Sequence, residues 1–387
     1  MSDVITKNEK IIIDFYNSVI QLLGVLGARE KDILERRFKL KSGIHKKHTL
    51  EDIGKIYKIT RERVRQIEAD SIKRLRLLPH NHECKKSIAH IQEAMNNFLR
   101  IHGGVVEENF LIDELLKHFR HDHANLSKED ERLHKEALSF VISQIISDGF
   151  EKVSAKDQYH NVWKLKDVRW EVVEDVLKAL VNVIEHREKP MKQEEIITEL
   201  RAREAPKLDA FMQHIAGLKD EMKALEEVLG TYLMMSKKIK MNLFQEWGLA
   251  HWNTISPKKI NDKIYLILKK LAKPMHFNNL TDEINKAAFD HKTACAATVH
   301  NELILDKKYV LVGRGIYALR EWGYEPGTVS DVITNILQKR GNLSKEAILE
   351  EVKKQRIVKQ ATVNLALMNK GIFKKLDSGD YMLSENK

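Results

Sequence analysis

The sequence predicts a mainly α protein: an N-terminal helix-turn-helix domain followed by about four winged-helix-like units with short β-hairpins. Three observations lead there. Glycine and proline are scarce, 17 and 6 in 387 residues, which disfavours a turn-rich all-β architecture. Two capped amphipathic helices separated by a tight turn stand between Thr49 and Leu77. After Pro79 a helix, break, helix, helix, hairpin pattern recurs at a spacing of roughly 70–85 residues.

Composition narrows the class of protein. At about 150 residues per domain the length suits two to four domains, and 43% hydrophobic with 32% charged residues lies in the globular range. Two cysteines, Cys84 and Cys295, cannot build a disulfide framework or a four-thiolate zinc site. That fits a reducing cytosol. The apolar stretch from Ile11 to Leu26 is interrupted by Asp14, Asn17 and Gln21. It reads as an amphipathic helix rather than a signal peptide, and no run reaches the roughly 20 residues that span a bilayer. No membrane contact is expected.

The net charge of +10 is unevenly spread. From Ala28 to Arg76 sixteen lysines and arginines face eight aspartates and glutamates, so one short segment carries most of the excess. A basic surface of that density suits a polyanion, DNA being the common one. Within it, Thr49-Leu50-Glu51-Asp52 forms a capping box that opens a short helix with apolar positions Ile53, Ile56 and Tyr57. Thr60 caps a second helix, Arg61 to Leu77, with Val64, Ile67, Ile72 and Leu75 as its buried stripe. Arg61, Glu62, Arg65 and Gln66 are left facing outward near its start. In a helix-turn-helix the first turns of the second helix reach base edges in the major groove. Arginine can fork to guanine, glutamine can pair with adenine, and a carboxylate can accept from cytosine N4.

The run "HTLEDIGKIYKITRERVRQIEADSIKRLR" (His48 to Arg76), with "AREKDILERRF" before it, resembles region four of the primary sigma factors of bacterial RNA polymerase. The resemblance extends from about Asp14 to Pro79, one sixth of the chain. It implies that Arg61, Glu62, Arg65 and Gln66 read a promoter −35 element. It also implies that Thr49, Lys73 and Arg74 lie on phosphates, and that Leu34, Arg37 and Phe38 meet the flap of the polymerase β subunit. The upstream sigma domain that melts the −10 element is not expected, because only a short helix precedes the matching segment.

The domains expected are residues 1–79 for the helix-turn-helix, then 80–168, 169–258, 259–325 and 326–387 for the winged units. Joints recur at Arg100 to Leu115, Arg187 to Leu200, Leu271 to Ile284 and Lys339 to Val352. Each is followed by a β-prone stretch: "YHNVWKL" (Tyr159 to Leu165), "GTYLMM" (Gly230 to Met235), "KYVLVGRGIYAL" (Lys308 to Leu319) and "GIFKKLDSGDYML" (Gly371 to Leu383). The last two read as hairpins. The charged stretch Leu200 to Leu229 reads as an insertion in the second unit. The third unit, Ile260 to Tyr324, resembles the HARE-type helix-turn-helix family through "KPMHFNNLTDEI" and "YVLVGRGIYALREWGY". The N-terminal domain of the polymerase δ subunit is similar. In that unit Lys292, Thr293, His300 and Asn301, with Arg314 at the wing tip, are the candidate secondary DNA contacts. A protein-binding module is the equal alternative, because fold does not fix function.

Other chemistry finds little footing. Gly313-Arg314-Gly315 lacks the residues of a phosphate cradle, and no Walker motif or nucleophile elbow is present. His80, His82 and Cys84, and His118, His121 and His123, match no closed four-ligand metal site. The five tryptophans, Trp163, Trp170, Trp247, Trp252 and Trp322, read as packing between wing and helices rather than as a stacking platform. No cofactor, metal, small-molecule substrate or enzymatic activity is expected.

The leading expectation is therefore a sigma-like transcription regulator, cytoplasmic and nucleoid-associated, that binds double-stranded promoter DNA and contacts the RNA polymerase core. A second is an accessory, δ-like polymerase-binding protein that engages the β flap without reading sequence. A third is the DNA-recognition component of a restriction or modification system.

Overall fold

The computed structural model describes residues 12–78, 83–119, 127–146, 148–154, 157–218 and 225–384. The chain divides into two compact units, one running to Lys240 and the other starting at Met241. The architecture is mainly α, a helix-turn-helix domain followed by winged-helix-like units.

The first compact unit opens with four helices. Asp14 starts α1 (Phe15–Leu23) by accepting from the Asn17 amide at 2.9 Å. α2 (Ala28–Phe38) ends at Lys39, whose φ of 56° turns the chain out of the helix. α3 (Leu50–Tyr57) begins at the expected capping box, with the Thr49 amide donating to Asp52 at 3.0 Å and the Asp52 amide donating to Thr49 Oγ1 at 3.1 Å. α4 (Arg61–Arg76) begins at Thr60, which accepts from the Arg63 amide at 3.2 Å. The turn between α3 and α4 needs a bare α-carbon at Gly54, where a Cβ would stand 2.7 Å from the Ile59 carbonyl oxygen. Ile33, Ile53 and Val64 form the centre of this domain, ringed by Leu50, Tyr57, Ile59 and Ile67. Ile56, expected on the inner face, is instead 49% exposed. In so short a helix one stripe suffices, and Ile53 and Tyr57 already occupy it at i and i+4.

A first winged unit follows: α5 (Glu83–Ile101), β1 (Val105–Glu107), α6 (Glu108–Phe119), α7 (Lys128–Phe140), β2 (Phe150–Val153) and β3 (Val162–Leu165). α7 runs on into a π-helical segment, Val141–Ile145. The antiparallel sheet is ordered β1-β3-β2, with Trp163 opposite Val106 on one side and Lys152 on the other. The second winged unit comprises α8 (Trp170–Arg187), α9 (Gln193–Arg203), α10 (Ala205–Ile215), α11 (Leu225–Met235) and the hairpin of β4 (Ile239–Met241) with β5 (Trp247–Leu249).

Two expectations change here. "GTYLMM" is the end of α11, not a strand, because Val228, Leu229, Tyr232 and Leu233 are all buried along one helical face. Leu200 to Leu229 is also more than an insertion. It supplies α10, the one helix the other units lack, and the start of α11 in the third-helix position. The Tyr232 hydroxyl donates to the Gly103 carbonyl at 2.9 Å, tying the second winged unit to the first.

The second compact unit repeats the plan twice. α12 (Ile260–Leu271), β6 (Met275–His276), α13 (Phe277–Ala287), α14 (Ala296–Leu305), β7 (Tyr309–Gly313) and β8 (Ile316–Leu319) carry a sheet ordered β6-β8-β7. α15 (Val329–Arg340), α16 (Lys345–Gln355), α17 (Gln360–Leu367), β9 (Phe373–Lys375) and β10 (Tyr381–Leu383) follow, and Leu343 bridges to Tyr381 so that β10 again lies in the middle. Each unit has its own core, one around Ile264, Leu268 and Val299 and the other around Ile333, Ile348 and Val363. None of the five tryptophans is exposed, Trp163 and Trp247 being buried, as packing requires.

Candidate nucleic-acid interface

α4 carries its chemistry at its exposed N-terminal end. Val64, Ser71, Ile72 and Leu75 turn inward, while Arg61, Glu62, Arg65 and Gln66 are all exposed. These four side chains rest on local partners. Arg65 donates Nε to Glu62 Oε2 at 2.9 Å and a second nitrogen to Oε1 at 2.6 Å. Arg61 pairs with Glu51 at 2.9 Å, across the turn from α3. Gln66 accepts from Arg63 at 3.1 Å. The Arg65 hydrogen bond holds the Glu62 carboxyl below its ordinary range, so both are charged at neutral pH. Both side chains of the Arg65–Glu62 pair are exposed and screened by water, so the pair contributes little stability.

The residues assigned to phosphates separate in the structure. Thr49 is exposed at the start of α3 but its hydroxyl is held in the capping box, donating to Asp52 at 2.8 Å. Those hydrogen bonds, from the Thr49 amide and hydroxyl, keep the Asp52 carboxyl low. Lys73 is exposed on α4. Arg74 turns to the other side and donates to both Glu30 oxygens at 2.9 Å. Arg76 is the cation that shares the Lys73 side, three residues on. Arg37, Arg65, Lys73 and Arg76 line one groove of about 400 Å³. Sequence periodicity contained that signal, since positions 65, 69, 72, 73 and 76 share a face, but the match to Glu30 was invisible in it.

The three residues expected on a polymerase are differently employed. Leu34 is 0% exposed and lies in the core, so it offers no surface. Arg37 braces the domain, donating to Glu68 at 2.9 Å and to the His48 carbonyl at 2.8 Å. Phe38 is half-buried against the Phe140 ring at 5.0 Å. Around it α7 closes on the segment after α2. Arg132 donates to the Lys39 carbonyl at 3.1 Å and the Lys41 carbonyl at 3.3 Å, and Lys39 pairs with Glu136. Glu129 accepts from the Gly43 amide at 3.2 Å. The free surface expected at Phe38 is covered within the chain, because the apolar face of α7 needed a partner and Phe38 supplied one.

The winged units present their third helices differently from α4. The third helix of the first unit, α7, is spent on the packing just described. α14 holds one formal charge, Glu302, and α17 holds none. The secondary contacts in the third unit are also not one surface of one helix. Lys292 and Thr293 lie in the segment before α14, exposed, with the Lys292 amide donating to Asp290 at 3.0 Å. His300 is half-buried in α14, its ring 4.6 Å from Phe277 and 5.9 Å from Tyr317. Asn301 and Arg314 are exposed, Arg314 at the turn between β7 and β8. The helix begins at Ala296 because Asn285 pins the preceding segment, donating to the Ala294 carbonyl and accepting from its amide.

Among the described residues no group of three or more His, Cys, Asp or Glu side chains is arranged to hold a metal, and no helix is long and apolar enough to cross a membrane. His80, His82, His121 and His123 lie outside the described residues. Cys84 is buried, its thiol donating to Gln21 Oε1 at 3.7 Å, and Cys295 is exposed.

Known proteins match one part of the chain. An RNA polymerase sigma factor SigA of Lactococcus lactis subsp. cremoris is 44% identical over 70 residues, covering 16% of this chain and 19% of that protein. SigA of a Nostoc species is 44% identical over 68 residues, 18% of this chain and 17% of its own. SigA of Microcystis aeruginosa is 49% identical over 55 residues, 14% and 13%. The chain thus spans less than a fifth of the length of these relatives. No solved structure matches it. The family model for sigma-70, region 4 matches residues 22–77, a span that takes in the whole helix-turn-helix of α3 and α4.

Proposed function

We propose that this chain is a sigma-like transcription regulator that binds double-stranded promoter DNA at a −35-like element, with α4 in the major groove. Arg61, Glu62, Arg65 and Gln66 read base edges, and the role is recognition rather than catalysis. The observation that carries this reading is their joint exposure on the first two turns of a capped second helix, inside the segment matching sigma-70 region 4. The first winged unit braces that reader through the Phe38–Phe140 and Arg76–Gln144 contacts, the later winged units extend contact to flanking DNA or to the polymerase, and the protein works in the cytoplasm on the nucleoid.

Contact with the RNA polymerase core belongs to the same proposal, with a condition set by the packing. Phe38 reaches a β flap only if α7 moves away from it, so a flap-only accessory role is disfavoured by the Phe38–Phe140 contact.

The test is fluorescence anisotropy of the purified chain on a duplex carrying the sigma-family −35 hexamer and on a scrambled duplex, over a salt series. A preference of about tenfold or more at ~0.15 M salt, roughly 1.4 kcal/mol, is expected. Equal and steeply salt-dependent binding to both would sink the sequence-reading role.

A further inference from the structure

The groove beside α4 does not stop at the helix-turn-helix domain. Arg37, Arg65, Lys73 and Arg76 line it from that domain, and Gln144, from the π-helical segment after α7, lines it from the first winged unit. Glu68 is the carboxylate in the lining, and Arg37 already pairs with it at 2.9 Å. Arg76 donates Nε to the Gln144 carbonyl oxygen at 2.6 Å. That hydrogen bond fixes the guanidinium without cancelling its charge, because the acceptor is neutral. Lys73 and Arg76 stand three residues apart on one helix face, and Arg65 lies two turns before Lys73. Over the 11-residue rise from Arg65 to Arg76, about 16 Å, the groove carries these three cations, with Arg65 paired to Glu62 and Glu68 standing between it and Lys73.

We propose that this groove seats the phosphodiester backbone of duplex DNA flanking the element that α4 reads, and that the first winged unit forms part of the seat through Gln144. The inference rests on the reading of α4 as the base-contacting helix. Its chemistry is that of backbone positioning, in which guanidinium, ammonium and amide donors hold phosphate oxygens without reading sequence. A concave, cationic surface draws a polyanion more strongly than separate surface lysines do. The π-helical turn supplies the second wall, since Gln144 lines the groove, its carbonyl oxygen accepting from Arg76 and its side-chain amide donating to Ser143 Oγ at 3.2 Å. The protected stretch of DNA is therefore longer than a lone helix-turn-helix domain would cover.

The experiment uses the full chain and two duplexes with the same −35 hexamer. One ends close to the hexamer, and the other extends past the C-terminal end of α4. Binding is followed by anisotropy over a salt series. The longer duplex is expected to bind more tightly and with a steeper salt slope. Lys73→Gln and Arg76→Gln should each lower the slope by about 0.9 on the longer duplex. Arg74→Gln, whose side chain is turned to Glu30, should leave it unchanged. Gln144→Glu disturbs no helix contact of α4 yet puts a carboxylate in the groove, and should weaken binding to the longer duplex about tenfold. All four variants should keep the wild-type ratio of specific to scrambled affinity. If the wild-type chain prefers the hexamer while Lys73→Gln, Arg76→Gln and Gln144→Glu all bind like wild type, the seat is refuted and the base-reading role survives. If the wild-type chain shows no preference, the reading of α4 falls and takes the seat with it.

Discussion

The ring of Phe38, at the end of α2, meets the ring of Phe140, at the end of α7, with centroids 5.0 Å apart and planes tilted by 60°. The two residues are 102 positions apart and belong to different domains. Their contact is the apolar centre of a clasp whose polar rim is Arg132 on two carbonyl oxygens and Glu136 on Lys39. A second clasp, Arg76 to the Gln144 carbonyl, holds the other end of the same domain. α4 is thereby fixed to the winged unit rather than tethered by a linker.

Loss of the Phe140 ring should show as loss of stability. The side chain is almost fully buried, and Phe140→Ala should cost about 3–5 kcal/mol, the range for large buried aromatics. Chemical denaturation of the full chain measures this. Phe38→Ala, at a half-buried position, should cost less.

Removing the arginine that faces outward from α4 should change specificity rather than folding. Arg65→Ala is expected to lose about 1–3 kcal/mol on the preferred duplex and to relax the choice at one base pair. Competition with single-site duplex variants measures it. The melting temperature should move little, since the Arg65–Glu62 pair is exposed on both sides.

The start of α4 and the packing of the turn before it should be separable from the base contacts. Thr60→Ala removes the acceptor for the Arg63 amide and should cost about 1 kcal/mol. Gly54→Ala places a methyl 2.7 Å from the Ile59 carbonyl oxygen, against backbone that cannot yield. It should cost about 1–3 kcal/mol and weaken DNA binding by tilting α4. Circular dichroism melts set beside anisotropy distinguish the two effects.

Acid should loosen the clasp in a defined window. The hydrogen bond from Arg132 and the Gly43 amide beside it hold the Glu129 carboxyl at about 2, against an ordinary 4.5. A lowered folded value means that its contribution is complete above about pH 4.5 and is lost as pH falls toward 2. Thermal unfolding followed from pH 7 downward should show that fall, and Glu129→Gln should flatten it.

Local features were readable in the sequence, and distant ones were not. The caps at Thr49 and Thr60 depend on residues three positions away, so their pattern is complete in a short string. The outward placement of Arg61, Glu62, Arg65 and Gln66 follows from the apolar stripe alone. Periodicity puts Arg76 on the Lys73 face, but the capture of Arg74 by Glu30, 44 positions earlier in the chain, has no local signal. Phe38 looked like an exposed aromatic until α7 was folded over it. In α11 the β-prone run Thr231-Tyr232-Leu233 was overridden by packing, since Tyr232 had to reach Gly103. Local propensity lost to a tertiary contact there.

In three of the winged units the middle strand of the sheet is the last to be made: β3, β8 and β10 each pair on both sides with chain that precedes them. No such sheet can zip up until the final residues of its unit have left the ribosome. Translation therefore matures these sheets one unit at a time, and the helix-turn-helix segment leaves the ribosome before the winged units do. It must wait for roughly 60 further residues, several seconds at 5–20 residues per second, before Phe140 arrives to cover Phe38. For that interval the nascent chain exposes an aromatic surface that the finished protein hides, so ribosome stalling between the two residues is the point at which aggregation or capture by a chaperone should peak.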